Sequence, residues 1–552
     1  MMTVFSVVSL LLSGALCLIA GTGVRGHRTL PSARNQHLIA CALLFLGFFV
    51  RLFRLTGIPA GLSAEEALVG VQARALLTTG SQAFGNGWPA FFSQWGTSQT
   101  GSLLSLIAMP FVGAMGLNLL AVRLPLALLS CLSLAAFYGL ARRLAGEING
   151  LAALALACVC PYLVQQSHWA MGASAALFLL PVVLYAFARA SSGRVWLYAA
   201  CVLAAAACYG LDMLYLPLLI FVAFFLITGA FRAILRPLDA ALGFVLFALL
   251  SLPTGLTLIV NVFPLSGFTL GPLSIPRFVT FEHAGVHLPA TYGEWVQSGY
   301  TAFVNSLFQQ ASSENLTASG FVKPDGYGMA YYMIVPLAVF GAIALFARHS
   351  LSRGDAHLRT LRQSVAVLGA CILVTLLLIP NADIFHYALL LPFLLLFAAA
   401  GLREARLRRP ICCAALLSLL TVSFAGFFFT FYVRGMPLEE SNTYFSGLPE
   451  AAAAVQNYEA SHGDAEIYVT TRVYPHENPG AAAEMMTAFA FDLPSAFLKT
   501  PEYAQRFHYG LPEGLPSVPG RCYILRSEEL VSLDSDAFDV LEFGDFCAAI
   551  PL

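Results

Sequence analysis

"YALLLPFLLLFAAAGLREARLRRPICCAALLSLLTVSFAGFFFTFYV", residues 387–433, holds two apolar runs parted by an arginine-rich step. A helix needs about 20 apolar residues to cross a hydrocarbon layer of about 30 Å, and each run is close to that length. Lipid offers no partner to backbone N–H and C=O groups, so a crossing segment is either a helix or part of a closed barrel. These runs are continuous rather than alternating, which makes them helices. Arg403, Arg406, Arg408 and Arg409 between them mark a short loop on the cytoplasmic side.

The pattern repeats along a chain of 552 residues that is 58% hydrophobic and 11% charged. Candidate spans are 38–54, 119–141, 150–164, 173–189, 195–209, 211–229, 238–261, 329–347, 364–380, 385–402 and 410–432. Residues 3–21 form one more apolar run; without an early Lys or Arg it reads as an extra span rather than a signal peptide. The fold class is therefore a polytopic α-helical membrane protein with about 11–12 transmembrane helices.

Arginine-bearing loops fall at alternate connections: Arg25, Arg28 and Arg34; Arg142 and Arg143; Arg189 and Arg194; Arg232 and Arg236; Arg348, Arg353, Arg359 and Arg362. That alternation sets the topology. Only Glu147, Asp239, Asp355 and Glu404 are acidic on the same side, so the remaining carboxylates face outward. The run "LLSLIAMPFVGAMG", 103–116, would reverse the parity if it crossed. It is short and interrupted by Pro110 and Gly113, and reads as interfacial or re-entrant.

The chain thus divides into an N-terminal apolar segment and cytoplasmic loop (1–37), a membrane domain (38–432) with outer loops 55–118 and 262–328, and an outer domain (433–552). The last part mixes helical stretches such as "LPEAAAAVQNYEAS" with strand-like ones such as "AEIYVTT" and "RCYILR", which predicts a small extracytoplasmic α/β domain. Of the 12 cysteines, those from Cys17 to Cys413 lie in apolar segments, where a thiol behaves as a small hydrophobe. Cys522 and Cys547 read equally as one disulfide or two thiols.

Polar groups at the outer ends of the spans supply the candidate site. Glu65 and Glu66 lie in "GLSAEEALVG"; His168 in "QQSHWAMG"; Asp212 in "CYGLDMLYLP"; Asp383 and His386 in "PNADIFHYALLLP". Ionisable groups at membrane depth are costly and tend to line a cavity or pair with each other. A partly desolvated carboxylate there has its pKa raised toward the range of a general base.

Plainer readings stand beside these. Glu66, pointing away from Glu65 on a helix, suits a cap or a salt bridge; His168 suits a satisfied interfacial residue; Asp212 and Asp383 suit helix caps. Arg51, Arg54 and Arg123 sit at outer span ends against the charge bias. They either snorkel to the interface or hold a phosphate bidentately.

No nucleotide-binding glycine loop, HExxH or CxxC zinc pattern occurs, and no nucleic-acid-binding patch. "NLT" at 315–317 fits a glycosylation acceptor.

The stretch 57–126, "GIPAGLSAEEALVGVQARALLTTGSQAFGNGWPAFFSQWGTSQTGSLLSLIAMPFVGAMGLNLLAVRLPL", resembles the first outer loop of bacterial GT-C-fold glycosyltransferases. The group is that of dolichyl-phosphate-mannose-protein mannosyltransferases, glycosyltransferase family 39 and its relatives. Pro59, Gly61, Glu66, Ala67, Gly80, Gly85, Pro89, Gly116, Arg123 and Pro125 carry the likeness, which continues through "CPYLVQQSHWAMGAS", "CYGLDMLYLPLLI" and "PNADIFHYALLLP".

The resemblance implies transfer of a hexose-type sugar from a polyprenyl-phosphate donor in the membrane to a glycan, protein or lipid acceptor on the outer face, with inversion. It implies Glu65 as base and Glu66 as its orienting partner. Arg51, Arg54, Arg123 and His386 become candidates for the donor phosphate; His168, Asp212 and Asp383 become candidates to shape the sugar or acceptor site. No cofactor is required, although Glu65, Glu66 and Asp383 offer ligands to a divalent metal.

This chain has Glu65 where the group has Asp, and His168-Trp169 where it often has Arg-Trp, exchanging a permanent charge for a titratable one. The competing classes are a transporter or flippase of lipid-linked glycans and an inactive relative in envelope assembly. A transporter calls for inverted repeats and mid-membrane charges, and the spans here are apolar at mid-depth.

Overall fold

A computed structural model describes residues 2–24, 32–85, 87–96, 98–263, 265–279, 329–346, 355–378, 384–433, 444–473, 478–533 and 536–552. Asp383, the "NLT" triplet, most of the loop 262–328 and Arg25, Arg28, Arg348 and Arg353 lie outside them.

The membrane part begins with α1 (Met2–Thr22) and α2 (Ala33–Leu52). The segment expected to form the first outer loop holds α3 (Ala64–Thr79), β1 (Trp88–Pro89), the hairpin β2 (Phe91–Gln94) and β3 (Ser98–Gly101), and α4 (Leu103–Met115). There follow α5 (Leu119–Ala145), α6 (Glu147–Cys158), α7 (Pro161–Gln166), α8 (Gly172–Arg189), α9 (Arg194–Ala207), α10 (Tyr215–Phe231) and α11 (Pro237–Val262).

Strands β4 (Phe268–Leu270) and β5 (Leu273–Ile275) open the second outer loop, and β5 pairs in parallel with β1, Trp88 opposite Leu273, tying the two loops together. The membrane part closes with α12 (Ile334–Phe346), α13 (Ala356–Leu378), α14 (Ile384–Ala388), α15 (Leu391–Arg408) and α16 (Pro410–Phe428).

Among the described residues, nine helices are long and apolar enough to cross a membrane. Residues 3–21 fall in one of them, a continuous helix of 21 residues. Three expected spans come out shorter than a crossing. Residues 150–164 divide into α6 and α7, because Cys160 takes an extended conformation ahead of Pro161, and the residue before a proline disfavours the helical region. The spans 195–209 and 329–347 become helices of 14 and 13 residues. Segment 103–116 forms one short apolar helix of 13 residues, with Pro110 inside it.

Glycines allow a close helix crossing. A Cβ on Gly341 of α12 would strike Phe397 O, and one on Gly401 of α15 would strike Leu337 O, so the two backbones touch at a pair of small residues.

The C-terminal domain, expected on the outer face, carries α17 (Leu448–His462), β6 (Glu466–Val469), α18 (Pro479–Ala490), α19 (Pro501–Arg506), β7 (Phe507–Tyr509), β8 (Arg521–Arg526), β9 (Phe538–Phe543) and β10 (Phe546–Pro551). Its five strands order as β7-β6-β8-β10-β9, parallel from β7 to β8 and antiparallel thereafter. Cys547 faces Leu525 across the β8–β10 ladder, three places from Cys522, and both thiols are free and buried.

This domain sits on the first outer loop. Arg74 pairs with Asp492 at 3.0 Å, Asn478 donates to Trp95 O at 3.1 Å and Lys499 donates to Gly85 O at 2.7 Å. Leu62 and Phe445 exchange both backbone bonds, 2.9 and 3.1 Å. Gly61 makes that approach possible: its φ is +89°, and an added Cβ would run into the Phe445 carbonyl. Gly61→Ala is therefore expected to cost about 2–3 kcal/mol from backbone strain and crowding together. A fall in the thermal midpoint of the detergent-solubilised protein would register it.

Candidate active site around the first outer loop

Ser63 starts α3. Its Oγ accepts from Glu66 N at 3.2 Å, and its own N–H reaches back to Glu66 Oε2 at 3.4 Å, a capping box. Adjacent residues on a helix diverge by about 100°, so Glu65 and Glu66 cannot share an environment. Glu66 is fully buried and Glu65 is half-buried.

Glu66 meets Arg123 in the first turns of α5. Arg123 Nε lies 2.7 Å from Glu66 Oε1, and Nη2 lies 2.8 Å from Oε2, a bidentate pair. The remaining donors go to backbone: Nη1 to Leu55 O at 3.1 Å and Pro59 O at 2.8 Å, and Nη2 also to Gly61 O at 2.9 Å. Five donors thus have acceptors, and the side chain is fully buried. The pair clamps the turn 55–61, the start of α3 and the start of α5 together. Ala170 N adds a bond to Glu66 Oε1 at 3.2 Å, which brings in the segment before α8.

Arg51 is likewise removed from solvent. Its Nε donates to Ser130 Oγ at 2.7 Å, Nη1 to Gly47 O and Cys158 O, and Nη2 to Ala157 O at 3.0 Å. Ala157 and Cys158 end α6, where unsatisfied carbonyls and the helix dipole favour a cation. The expected phosphate role does not carry over to Arg51 or Arg123, whose donors are occupied by the fold. Arg54 differs: it is exposed, has φ +54°, and among the described residues its guanidinium donates through Nη1 to Tyr432 O at 3.0 Å.

His168 is fully buried between Phe431 and Tyr432, at ring distances of 5.4 and 5.8 Å. Nδ1 lies 3.0 Å from Val164 O and Nε2 lies 3.2 Å from Phe53 O. Burial pushes the imidazole down to about 4, outweighing the two carbonyls, with Arg123 and Arg51 adding to the effect. At neutral pH the ring therefore holds one proton and donates to one carbonyl only. The titratable charge expected at this position is absent near neutrality.

Because the unfolded chain regains an ordinary histidine, it binds a proton that the fold refuses between about pH 6.5 and pH 4. Stability contributed by the neutral ring is complete above this window and is lost as pH falls through it, by up to about 3 kcal/mol. Thermal midpoints measured across the window should fall, and His168→Gln should flatten that fall.

Tyr444 escaped the sequence reading. It is fully buried, its ring lies tilted on Trp169 at 5.4 Å, and it bonds to Ser63. Burial first, then the charges of Glu66 and Glu65, hold its hydroxyl well above the usual phenol range, so it stays protonated. Both carboxylates thus act on Tyr444, which belongs to the same cluster. Residues around it carried no motif; the signal is its position just before Phe445, which pairs with Leu62 at the site.

Two further candidates lie on other elements. Asp212, buried at the start of a short 3-10 turn, receives Gln99 Nε2 of β3 at 3.5 Å. His386 is buried in α14. Among the described residues, no three His, Cys, Asp or Glu side chains come together as metal ligands. Glu66, with both oxygens on Arg123, is not available to such a set.

No family model and no curated protein matches the chain. Solved structures do. The oligosaccharyltransferase of Archaeoglobus fulgidus, in complex with zinc and sulfate, aligns at a TM-score of 0.50 and 10% identity over 81% of this chain; the alignment spans 61% of that protein. ArnT from Cupriavidus metallidurans bound to undecaprenyl phosphate aligns at 0.49 and 13% identity, over 94% of this chain and 98% of its own. At such identities the likeness is one of fold: the chain is a multi-pass helical membrane protein of the GT-C fold, with a small sheet-containing domain at its C-terminus.

Proposed function

We propose that the protein is a membrane glycosyltransferase that moves a hexose-type sugar from a polyprenyl-phosphate donor to an acceptor on the extracytoplasmic face, with inversion at the anomeric carbon. The observation that carries this reading is the division of labour between two adjacent carboxylates. Glu66 is spent on Arg123, while Glu65 stays half-buried at the head of the same helix beside the protonated Tyr444. A helix anchored that firmly can hold a base in place, and a base within hydrogen-bond reach of the acceptor hydroxyl is what inverting transfer needs.

Glu65 is the proposed base. Arg54, exposed at the end of α2, is the proposed contact to the donor phosphate, with His386 as a second candidate for it; Asp383 is proposed, as the resemblance implies, to shape the sugar or acceptor site. Asp212, set against the β2–β3 hairpin, is proposed to shape the acceptor side. His168 acts by position: it packs the end of α2 against Phe431 and Tyr432 beside Arg54. The arginine bias of the opposite loops supports the outer placement of this site.

The test is reconstitution in liposomes with a labelled polyprenyl-phosphate hexose, scored against the matching nucleotide sugar. Transfer from the lipid-linked donor alone, with a product of inverted anomeric configuration, is the expected result. Hydrolysis-free retention of both donors, or vectorial movement of the lipid without transfer, would favour the transporter class. The proposed step is written with Glu65 as base and without a metal, Glu66 being engaged by Arg123, and on that reading a chelator is expected to leave the rate unchanged within about twofold.

A further inference from the structure

In "PYLVQQSHWAMGAS", residues 161–174, the chain leaves α7, turns and starts α8. A helix begins with N–H groups that have no partner inside it, and the side chain before it often takes one of them. At α8 the preceding residue is Met171, and no side chain caps the turn. The positive end of a helix of 18 residues is thus left to an acceptor from elsewhere.

Gln166 stands beside this turn. Its Oε1 accepts from Ser174 Oγ, in the first turn of α8. The side chain is fully buried, and among the described residues its Nε2 has no hydrogen-bond partner. A buried amide donor left unmet is costly. Next to an uncapped helix it adds a side-chain donor to backbone donors, so a ligand that meets both must bring several acceptor oxygens. The helix dipole favours a negative one, and a phosphate satisfies both conditions.

Gly172 and Ser174 lie about 200° apart around the helix. The β2–β3 hairpin closes the Gly172 side, where a Cβ would stand 3.1 Å from Thr100 Oγ1 and 3.3 Å from Gly101 O. Gln166 stands on the other. Met171 and Ala173 are half-buried, while Gly172, Ser174 and Ala175 are buried, so the turn meets its surroundings on one side only.

The same turn adjoins the head of α3. Ala170, two residues before α8, donates to Glu66 Oε1 at 3.2 Å, which brings the start of α8 close to Glu65. Glu66 itself is neutralised by Arg123. His168 Nε2 lies 3.2 Å from Phe53 O, the residue before Arg54. Inverting transfer puts the incoming group and the leaving group on opposite faces of one sugar carbon, so the phosphate belongs a sugar ring away from Glu65 rather than against it.

We propose that the first turn of α8 and the Gln166 amide bind the phosphate of the polyprenyl-phosphate donor, with Arg54 supplying the cation. Ser174 fixes the Gln166 carbonyl, and Nε2 donates to a phosphate oxygen. The identity of the lipid rests on the transferase reading; the phosphate site is tested by binding alone.

The experiment uses the full chain in phosphatidylcholine nanodiscs. Binding of radiolabelled polyprenyl phosphate is measured, with unlabelled polyprenol and phosphatidic acid as competitors, beside the thermal midpoint without added lipid. Wild type is expected to prefer polyprenyl phosphate to both competitors. Gln166→Met should weaken polyprenyl phosphate about tenfold, the worth of one hydrogen bond to a charged group. It should leave polyprenol unchanged and the midpoint equal or higher, because an unmet donor has gone. Gln166→Glu keeps an acceptor for Ser174 and puts a carboxylate at the helix start. It should raise the midpoint and weaken polyprenyl phosphate more than about 30-fold by like-charge repulsion.

Equal competition by polyprenol in the wild type would overturn the proposal. So would a Gln166→Met protein that binds as wild type does, or one that loses both polyprenyl lipids in equal measure, the mark of a packing role. Phosphatidic acid competing as well as polyprenyl phosphate would give the site to a glycerophospholipid and overturn the assignment to the donor. Phosphate-selective binding that depends on Gln166, in a protein that transfers no sugar, would leave the site standing and count against the transferase reading alone. Transfer by Gln166→Met with an unchanged KM for the donor would overturn the site and leave that reading intact.

Discussion

Arg123→Met is expected to destabilise the protein by about 3–5 kcal/mol, the usual result of leaving one member of a buried ion pair without its partner. Glu66 would then be a carboxylate with no exposure, keeping only Ala170 N, Ser63 N and its place in the cap. The carbonyls of Leu55, Pro59 and Gly61 would lose their donors in the same step. Arg123→Lys should fall between wild type and Arg123→Met, because one ammonium cannot meet acceptors spread around a planar fork.

Glu66→Gln should cost less than Arg123→Met, since its amide oxygen still accepts from the guanidinium. The double variant Glu66→Gln with Arg123→Met should recover part of the sum, and a coupling of about 1–3 kcal/mol in the cycle would mark a direct pair. Thermal midpoints in detergent supply these values. If Arg123 held the donor phosphate instead, its variants would keep the midpoint and raise KM for the donor. Strict additivity would defeat the clamp.

The parts of this fold that follow from one-dimensional length were legible. Apolar runs of span length became helices, and the arginine steps separated them, because the membrane imposes both rules residue by residue. The short helices α6, α9 and α12 were harder. Their lengths depend on local breaks such as Cys160-Pro161 and on close packing against neighbours, and an apolar run does not record either.

The acidic pair was legible as a place, but not as two roles. Which carboxylate turns inward depends on the Ser63 cap and on Arg123, a residue on another helix. Arg51 and Arg54 illustrate the same limit. Both follow an apolar run and both looked suited to phosphate, yet Arg51 precedes the end of α2 and points at the carbonyls closing α6, while Arg54 follows it with a left-handed backbone and stays exposed. Tyr444 was out of reach for another reason. It joins the site only when the outer domain docks, through Leu62 and Phe445, far apart along the chain.

Glu65→Gln is expected to lower the rate of transfer by about 10²–10⁴-fold, the range contributed by a positioned proton acceptor. KM for the lipid-linked donor should change little, because the proposed phosphate contact, Arg54, lies on α2 and not on α3. The thermal midpoint should also hold, since Glu65 takes no part in the Glu66–Arg123 clamp, and partly exposed substitutions usually stay within about 0.5 kcal/mol. That combination separates a catalytic loss from a folding loss, which Glu66 variants cannot do.

Glu65→Asp asks a sharper question. Shortening the side chain by one methylene withdraws the carboxylate by about 1 Å, and misplacement of that size costs about 100-fold where geometry has been set for the longer group. A large loss in Glu65→Asp would mean that the helix start, held by the capping box and Arg123, sits where glutamate is the right length. Tyr444→Phe should then act more weakly and mainly on the pH profile, because it removes a protonated neighbour without moving the base. Transfer by Glu65→Gln at the wild-type rate would dismiss Glu65 as base, and the clamp beneath it would then be a structural joint between the first outer loop and the outer domain.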